Sequence, residues 1–424
     1  MVGPADCPLR AAMPRFSLPV RHFALAAAAF WAFAFFLFLS HRNLMGFSLD
    51  ARWVLGCVHL LTLGWLSATI LGAMSQMLPV HAGTPLRWPW APMLGFWVLA
   101  LGLAVFVGEL WSGKERYWLG TAMAGMGMAL YLISYAKTLS QARELPFTER
   151  HFAAALAFLA ALASLGLMLA LDRQTGALLP HPEYALIAHV HLALIGWVTL
   201  SILGASYRLF YPAAISRASG RRASQTAFFL LALGAAALAV DALCMGLKLA
   251  RLWSLILAFG YLAYLWQLRH SASKEWRLKD VPTAFSFLGI AGGIVWMGLG
   301  LALSFGIIED RWEARAAYGV CALLGWATPW VIGQSCKIFP FMVWRSAYGE
   351  REDAPDYTGA QPKLAWSAFA FLALGWPLAA AGLLAENQAV LTTGLAFVLG
   401  CATVYALQSG LWLSHIIKPR TSGS

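Results

Sequence analysis

The sequence predicts an all-α membrane protein with twelve transmembrane helices, arranged as three pseudo-symmetric four-helix repeats, and with both termini cytoplasmic. Three observations predict it. First, 60% of the 424 residues are hydrophobic and only 12% charged, and the mean hydropathy is +0.67, a composition outside the soluble globular range. Second, twelve apolar stretches are long enough to cross a bilayer, near 21–41, 52–79, 90–112, 117–138, 151–172, 184–212, 224–246, 251–268, 283–307, 314–340, 364–384 and 388–414. Third, one phrase is written three times. It reads Cys57-Val-His59 followed by Gly64-Trp65, Ser67, Gly72 and Pro79. Further on it reads His189-Val-His191, Gly196-Trp197, Thr199, Gly204 and Pro212, then Tyr318-Gly-Val320, Gly325-Trp326, Thr328, Gly333 and Pro340. Positions 59 and 191 are 132 residues apart, and 191 and 320 are 129 apart. A fixed period with several anchors in each copy marks a repeated folding unit. The repeats run over about 21–138, 150–268 and 283–414. Residues 1–20 form a cytoplasmic leader and 415–424 a cytoplasmic tail.

The charge sorts with this topology. With the N-terminus inside, 21 of the 30 lysines and arginines fall in inner segments and nine in outer loops. The net charge of +11 is therefore a matter of orientation and does not point to nucleic acid as a partner. The six cysteines contain no CxxC and no CxxCH, so neither a disulfide framework nor a covalently attached c-type haem is implied.

In chain order, Arg10 and Arg15 precede the first apolar run with no small-residue cleavage site, which reads as an uncleaved signal anchor. Helix one opens on Arg21-His22, and helix five on its counterpart Arg150-His151. Both histidines read as interfacial residues that snorkel beside an arginine. The second helix starts outside and reaches His59 after seven residues, about 10 Å below the boundary at 1.5 Å per residue. The repeat puts His191 at the same depth. The third helices repeat too, with Leu99-Ala-Leu-Gly102, Leu231-Ala-Leu-Gly234 and Leu372-Ala-Leu-Gly375 in equivalent places. They end on carboxylates in two copies, Glu109 and Asp241, within reach of a metal, a propionate or water. Segment 345–362 is the one sizeable polar insertion and reads as a cytoplasmic loop, and Pro329 is the one signal of an interrupted helix.

The chemistry sits on the second helix of each repeat. An imidazole in hydrocarbon needs a metal, a haem or a hydrogen bond. Residues i and i+2 on a helix point about 200° apart, so His189 and His191 face nearly opposite sides and serve two different sites if both are ligands. The third repeat has Tyr318 and Val320 where the histidines would stand. Tyr318 can hydrogen-bond in a pocket, and Val320 can ligate nothing.

Three four-helix units, with histidines near the outer face of the inner helix, resemble the haem-copper oxidase subunit I superfamily. The run from His59 through Gly72-Ala73 to Pro79 resembles the second helix of the nitric oxide reductase large subunit. The His59-Leu, Thr62, Gly64 and Ile70-Leu-Gly-Ala-Met74 phrases are similar to the NnrS family of haem- and copper-containing membrane proteins linked to nitric oxide stress. The resemblance implies a b-type haem with His59 and His191 as axial ligands, and His189 facing a second, metal-binding site where copper would sit. His59, His189 and His191 are thus the metal candidates, with Glu109, Asp241 and Tyr318 as secondary ones. It also implies a membrane or periplasmic redox partner and residence in the bacterial inner membrane. The departure is that the tenth helix has no histidine and stretch 224–246 lacks the oxidase His-His pair, so a complete binuclear oxygen-reducing centre is not expected. Whether the chain is an enzyme stays open, and the alternative is a polytopic transporter or an assembly factor without haem.

Overall fold

In a computed structural model the described residues are 17–41, 44–45, 52–113, 117–209, 218–271, 280–348 and 361–417. They form twelve long helices, and no strand occurs among them. We number them α1 Ser17–Leu39, α3 Trp90–Trp111, α4 Trp118–Leu139, α5 Phe147–Thr175, α7 Ala218–Met245, α8 Ala250–Ser271, α9 Val281–Ser304, α11 Pro362–Leu384 and α12 Gln388–Ile417. The remaining three are composite. In α2, Arg52–His59 leads into a π-helical stretch Leu60–Ser67 and then Ala68–Ala82; in α6, Pro182–His191 leads into Leu192–Thr199 and Leu200–Leu209; in α10, Trp312–Val320 leads into Cys321–Ala327 and Thr328–Tyr348. Eleven helices are long and apolar enough to cross a membrane. The chain is a multi-pass helical membrane protein whose outer faces contact lipid.

The twelfth, α8, has the length of a span but a more polar composition. Arg251 and Arg269, near its two ends, are exposed; between them Tyr261, Tyr264 and Gln267 are buried, while Phe259, Leu262 and Trp266 are exposed. That is the pattern of a helix with lipid outside and protein inside.

Some boundaries shift from those read in the sequence. Pro79 and Pro340 lie inside their helices, and α10 continues to Tyr348, so the polar insertion begins later than residue 345. The leader 1–16, most of the insertion (349–360) and the tail 418–424 lie outside the described residues.

The helices group into two compact units. One contains α1, α2, the first part of α9, α10, α11 and α12; the other contains α3 to α8 and the end of α9. Within them, α3 and α4, α7 and α8, and α11 and α12 form tight hairpins. Gly102 on α3 faces the backbone of Ala124 on α4 at 2.5 Å from an added Cβ, Gly234 on α7 faces Leu257 on α8 at 2.7 Å, and Gly375 on α11 faces Val398 on α12 at 3.0 Å. The repeated Leu-Ala-Leu-Gly phrase is thus the seam of all three hairpins, where small residues let helix backbones approach.

Candidate functional site

His59 and His191 occupy the same local position. Each is the last α-helical residue before the π-helical stretch of its helix, and Val320 holds that place in α10. The three stretches also end alike, through wide i→i−5 backbone bonds from Ala68 to Leu63, Leu200 to Ile195 and Thr328 to Leu323. π turns of this kind concentrate at functional sites. The motif tryptophans Trp65, Trp197 and Trp326 are buried in all three, and Trp65 stacks on Phe30 with ring centroids 5.0 Å apart. The hydroxyl of Thr199 donates to the Leu194 carbonyl at 2.7 Å, spanning one π turn.

The imidazoles are set by their own helices. His59 Nδ1 lies 2.8 Å from the Leu55 carbonyl, and His191 Nδ1 lies 2.8 Å from the Ile187 carbonyl. A carbonyl can only accept, so Nδ1 carries the proton and the lone pair of the neutral ring is on Nε2. A backbone carbonyl that fixes the tautomer in this way is the usual outer partner of a metal-ligating histidine. Both side chains are half-buried.

His189 is placed differently. Its Nδ1 donates to the carbonyl of Leu162 on α5 at 3.0 Å, and its ring rests on Gly166, where an added Cβ would lie 2.9 Å from Cε1. The opposite facing of residues 189 and 191 expected from helix geometry is therefore accompanied by two different hydrogen-bonding arrangements.

The secondary candidates divide as well. Glu109 Oε2 accepts the amide of Gly120 at 3.1 Å, so the end of α3 caps the start of α4. Asp241 Oδ2 accepts the amide of Leu249 at 2.9 Å and does the same between α7 and α8. Both carboxylates satisfy orphan donors of a helix N-terminus, which is the ordinary use of a capping acid. Asp172, which the motif reading passed over, closes the α5–α6 turn by accepting the amides of Leu178 and Leu179, each at 2.8 Å. The signal for all three is a carboxylate in the last turn of one helix of a hairpin. Tyr318 is half-buried in the last turns of α10 before its π stretch.

The reading of His22 and His151 as interfacial is overturned. Both are fully buried, and each donates Nδ1–H to the carbonyl four residues back, Leu18 at 2.8 Å and Phe147 at 2.9 Å. They are pressed onto the second glycine of the repeated phrase. An added Cβ at Gly72 would lie 2.5 Å from His22 Cβ, one at Gly204 would lie 2.9 Å from His151 Cβ, and in the third copy Gly333 meets Phe285 at 2.9 Å. The adjacent arginines supplied the interfacial signal, and the glycines that make the buried seat sit some fifty residues downstream. Pro329 does not break α10. It leaves Gly325 without its α-helical donor, and the Gly325 carbonyl faces Gly292 on α9, where any side chain would overlap it.

Among the described residues no three histidines, cysteines or carboxylates come together to hold a metal ion. Residues 59 and 191 each present a single imidazole with its lone pair on Nε2, a donor type that fits haem iron. Comparison with protein-family models and with curated proteins finds no match.

Proposed function

We propose that the protein is a haem-binding membrane protein of the inner bacterial membrane, built from three four-helix repeats, in which His59 and His191 serve as axial ligands and support electron transfer or the handling of nitric oxide or copper. One observation carries this reading. Two histidines 132 residues apart share a junction with a π turn and a backbone carbonyl that leaves the lone pair on Nε2. The recurrence of the π turn in α10, behind Val320, favours descent of all three second helices from one unit. A haem held by these residues would supply electron uptake and binding of a diatomic gas. The residues orient the ligating nitrogen, and the buried tryptophans keep water from the helix next to it.

The transporter reading rests on broken helices, and α10 runs through Pro329. It is the weaker of the two.

The test is the visible spectrum of the purified protein, oxidised and dithionite-reduced, beside His59→Ala and His191→Ala. Loss or displacement of the Soret band in either variant is the expected result, and haem per chain gives the number of rings. A colourless wild type from haem-replete cells overturns the reading and moves the transporter or assembly factor to first place.

A further inference from the structure

We infer that His189 is a positioning residue: it pins the rotation of α6 against α5 so that His191, two residues on, holds its nitrogen in the ligating direction. This deepens the haem reading above and rests on it.

On α6, His189 hydrogen-bonds from its side chain to the backbone of α5. Its Nδ1–H reaches the Leu162 carbonyl at 3.0 Å. That carbonyl already lies in the α5 ladder, and it has a second lone pair to offer. The seat for the ring is made by Gly166, one turn further along α5. An added Cβ there would come within 2.9 Å of Cε1 and 3.4 Å of Nδ1, so any larger residue pushes the imidazole off its acceptor. Donor, acceptor and seat form one device, and it acts at a single point on the helix.

That point lies just ahead of a change in helical pitch. The wider π turns begin at Leu192, directly after His191. The His191 Nδ1 bond to Ile187 lies within α6, so a turn of α6 carries that imidazole with it. The His189 bond holds α6 against such a turn from a neighbouring helix, on the side nearly opposite His191. In α2 the equivalent position is Cys57, a buried thiol, and His59 has the same bond to its own helix without an imidazole two residues before it.

Two kinds of variant separate positioning from ligation and from bulk. His189→Asn keeps a nitrogen donor near the place of Nδ1, whereas His189→Leu fills the volume without one. Gly166→Ala leaves His189 intact and removes its seat. Two readouts apply, haem affinity with the Soret and reduced bands, and the rate at which diethyl pyrocarbonate modifies each histidine in the unloaded protein, mapped by mass spectrometry. Expected are a loss of haem affinity of about tenfold or more in His189→Leu and Gly166→Ala, and near-wild-type behaviour in His189→Asn. The modification rate of His191 changes in His189→Leu and Gly166→Ala, while that of His59 stays constant as an internal control. The inference is overturned if His189→Leu and Gly166→Ala leave both readouts at wild-type values. It is also overturned if His189→Asn loses haem as fully as His189→Leu, which would make His189 a ligand. A colourless wild type removes the haem reading alone, because the modification pattern of His191 still decides whether residue 189 aims it.

Discussion

A carboxylate in the last turn of a membrane helix has a choice of partners, and the nearest is the start of the next helix. Glu109 and Asp241 take that partner, each accepting an amide at the head of the next helix. Their repetition in two copies reads from sequence as a shared chemical site, and it is equally what two copies of one hairpin require. The capping role makes a distinct prediction: Glu109→Ala and Asp241→Ala each lower stability by about 1–2 kcal/mol, as loss of a cap does, with haem per chain unchanged. Thermal melts in detergent beside pyridine haemochrome assays check it, and a variant that melts like wild type but loses haem would return the carboxylate to the cofactor site. The same scale shows where sequence reading fails. His59 and His191 stand out in the sequence because an imidazole amid apolar residues is conspicuous, and the structure gives them one local position, just before a π stretch. The burial of His22 and His151 does not stand out, because it depends on Gly72 and Gly204, which are distant in sequence and meet them only once the helices pack.

The presence and order of the helices were legible, with ends displaced by up to eight residues, as where α10 runs on to Tyr348, since hydropathy measures the property the bilayer selects. The π stretches were not. Over seven or eight consecutive apolar residues, a change from 3.6 residues per turn to a wider turn leaves no mark on a hydropathy pattern. What the sequence did carry was the glycines, and their spacing divides them by task. Gly72 and Gly204 receive a histidine, whereas Gly108 has nothing within 4 Å of an added Cβ. We therefore expect Gly72→Val and Gly204→Val to force α1 from α2 and α5 from α6, at a cost of about 1–3 kcal/mol each from overpacking. Gly108→Ala should be neutral, or stabilising by up to about 1 kcal/mol through helix propensity. Chemical denaturation in mixed micelles measures both. Equal effects at all three positions would mean that the contacts to His22 and His151 do not hold these helices together.

Across the whole molecule, the placement of every later loop depends on one helix. α8 is the one long helix among the described residues that does not qualify as a span by composition, yet it has 22 residues, about 33 Å of helix, which is enough to cross. Between the exposed arginines near its two ends, Arg251 and Arg269, the buried residues include Tyr261, Tyr264 and Gln267 and the exposed ones are Leu252, Leu255, Phe259, Leu262 and Trp266, so the face that meets lipid is apolar even though the average is not. The charges give an independent argument. If α8 crosses, 21 lysines and arginines lie inside and nine outside. If it does not, the segment 269–279 joins the outer loop before α8 and every later loop changes sides, leaving 13 inside and 17 outside. Without α8 even the better orientation leaves 17 inside and 13 outside, so the positive-inside bias is strong only with α8 in the membrane. Reporter fusions at residues 145, 178, 247 and 386 test this directly. The expected pattern is inside at 145 and outside at 178, 247 and 386. An inverted signal at 386 alone would place α8 out of the bilayer, break the equivalence of the third repeat with the first two, and put α10 in the membrane with Val320 at the opposite depth from His59 and His191.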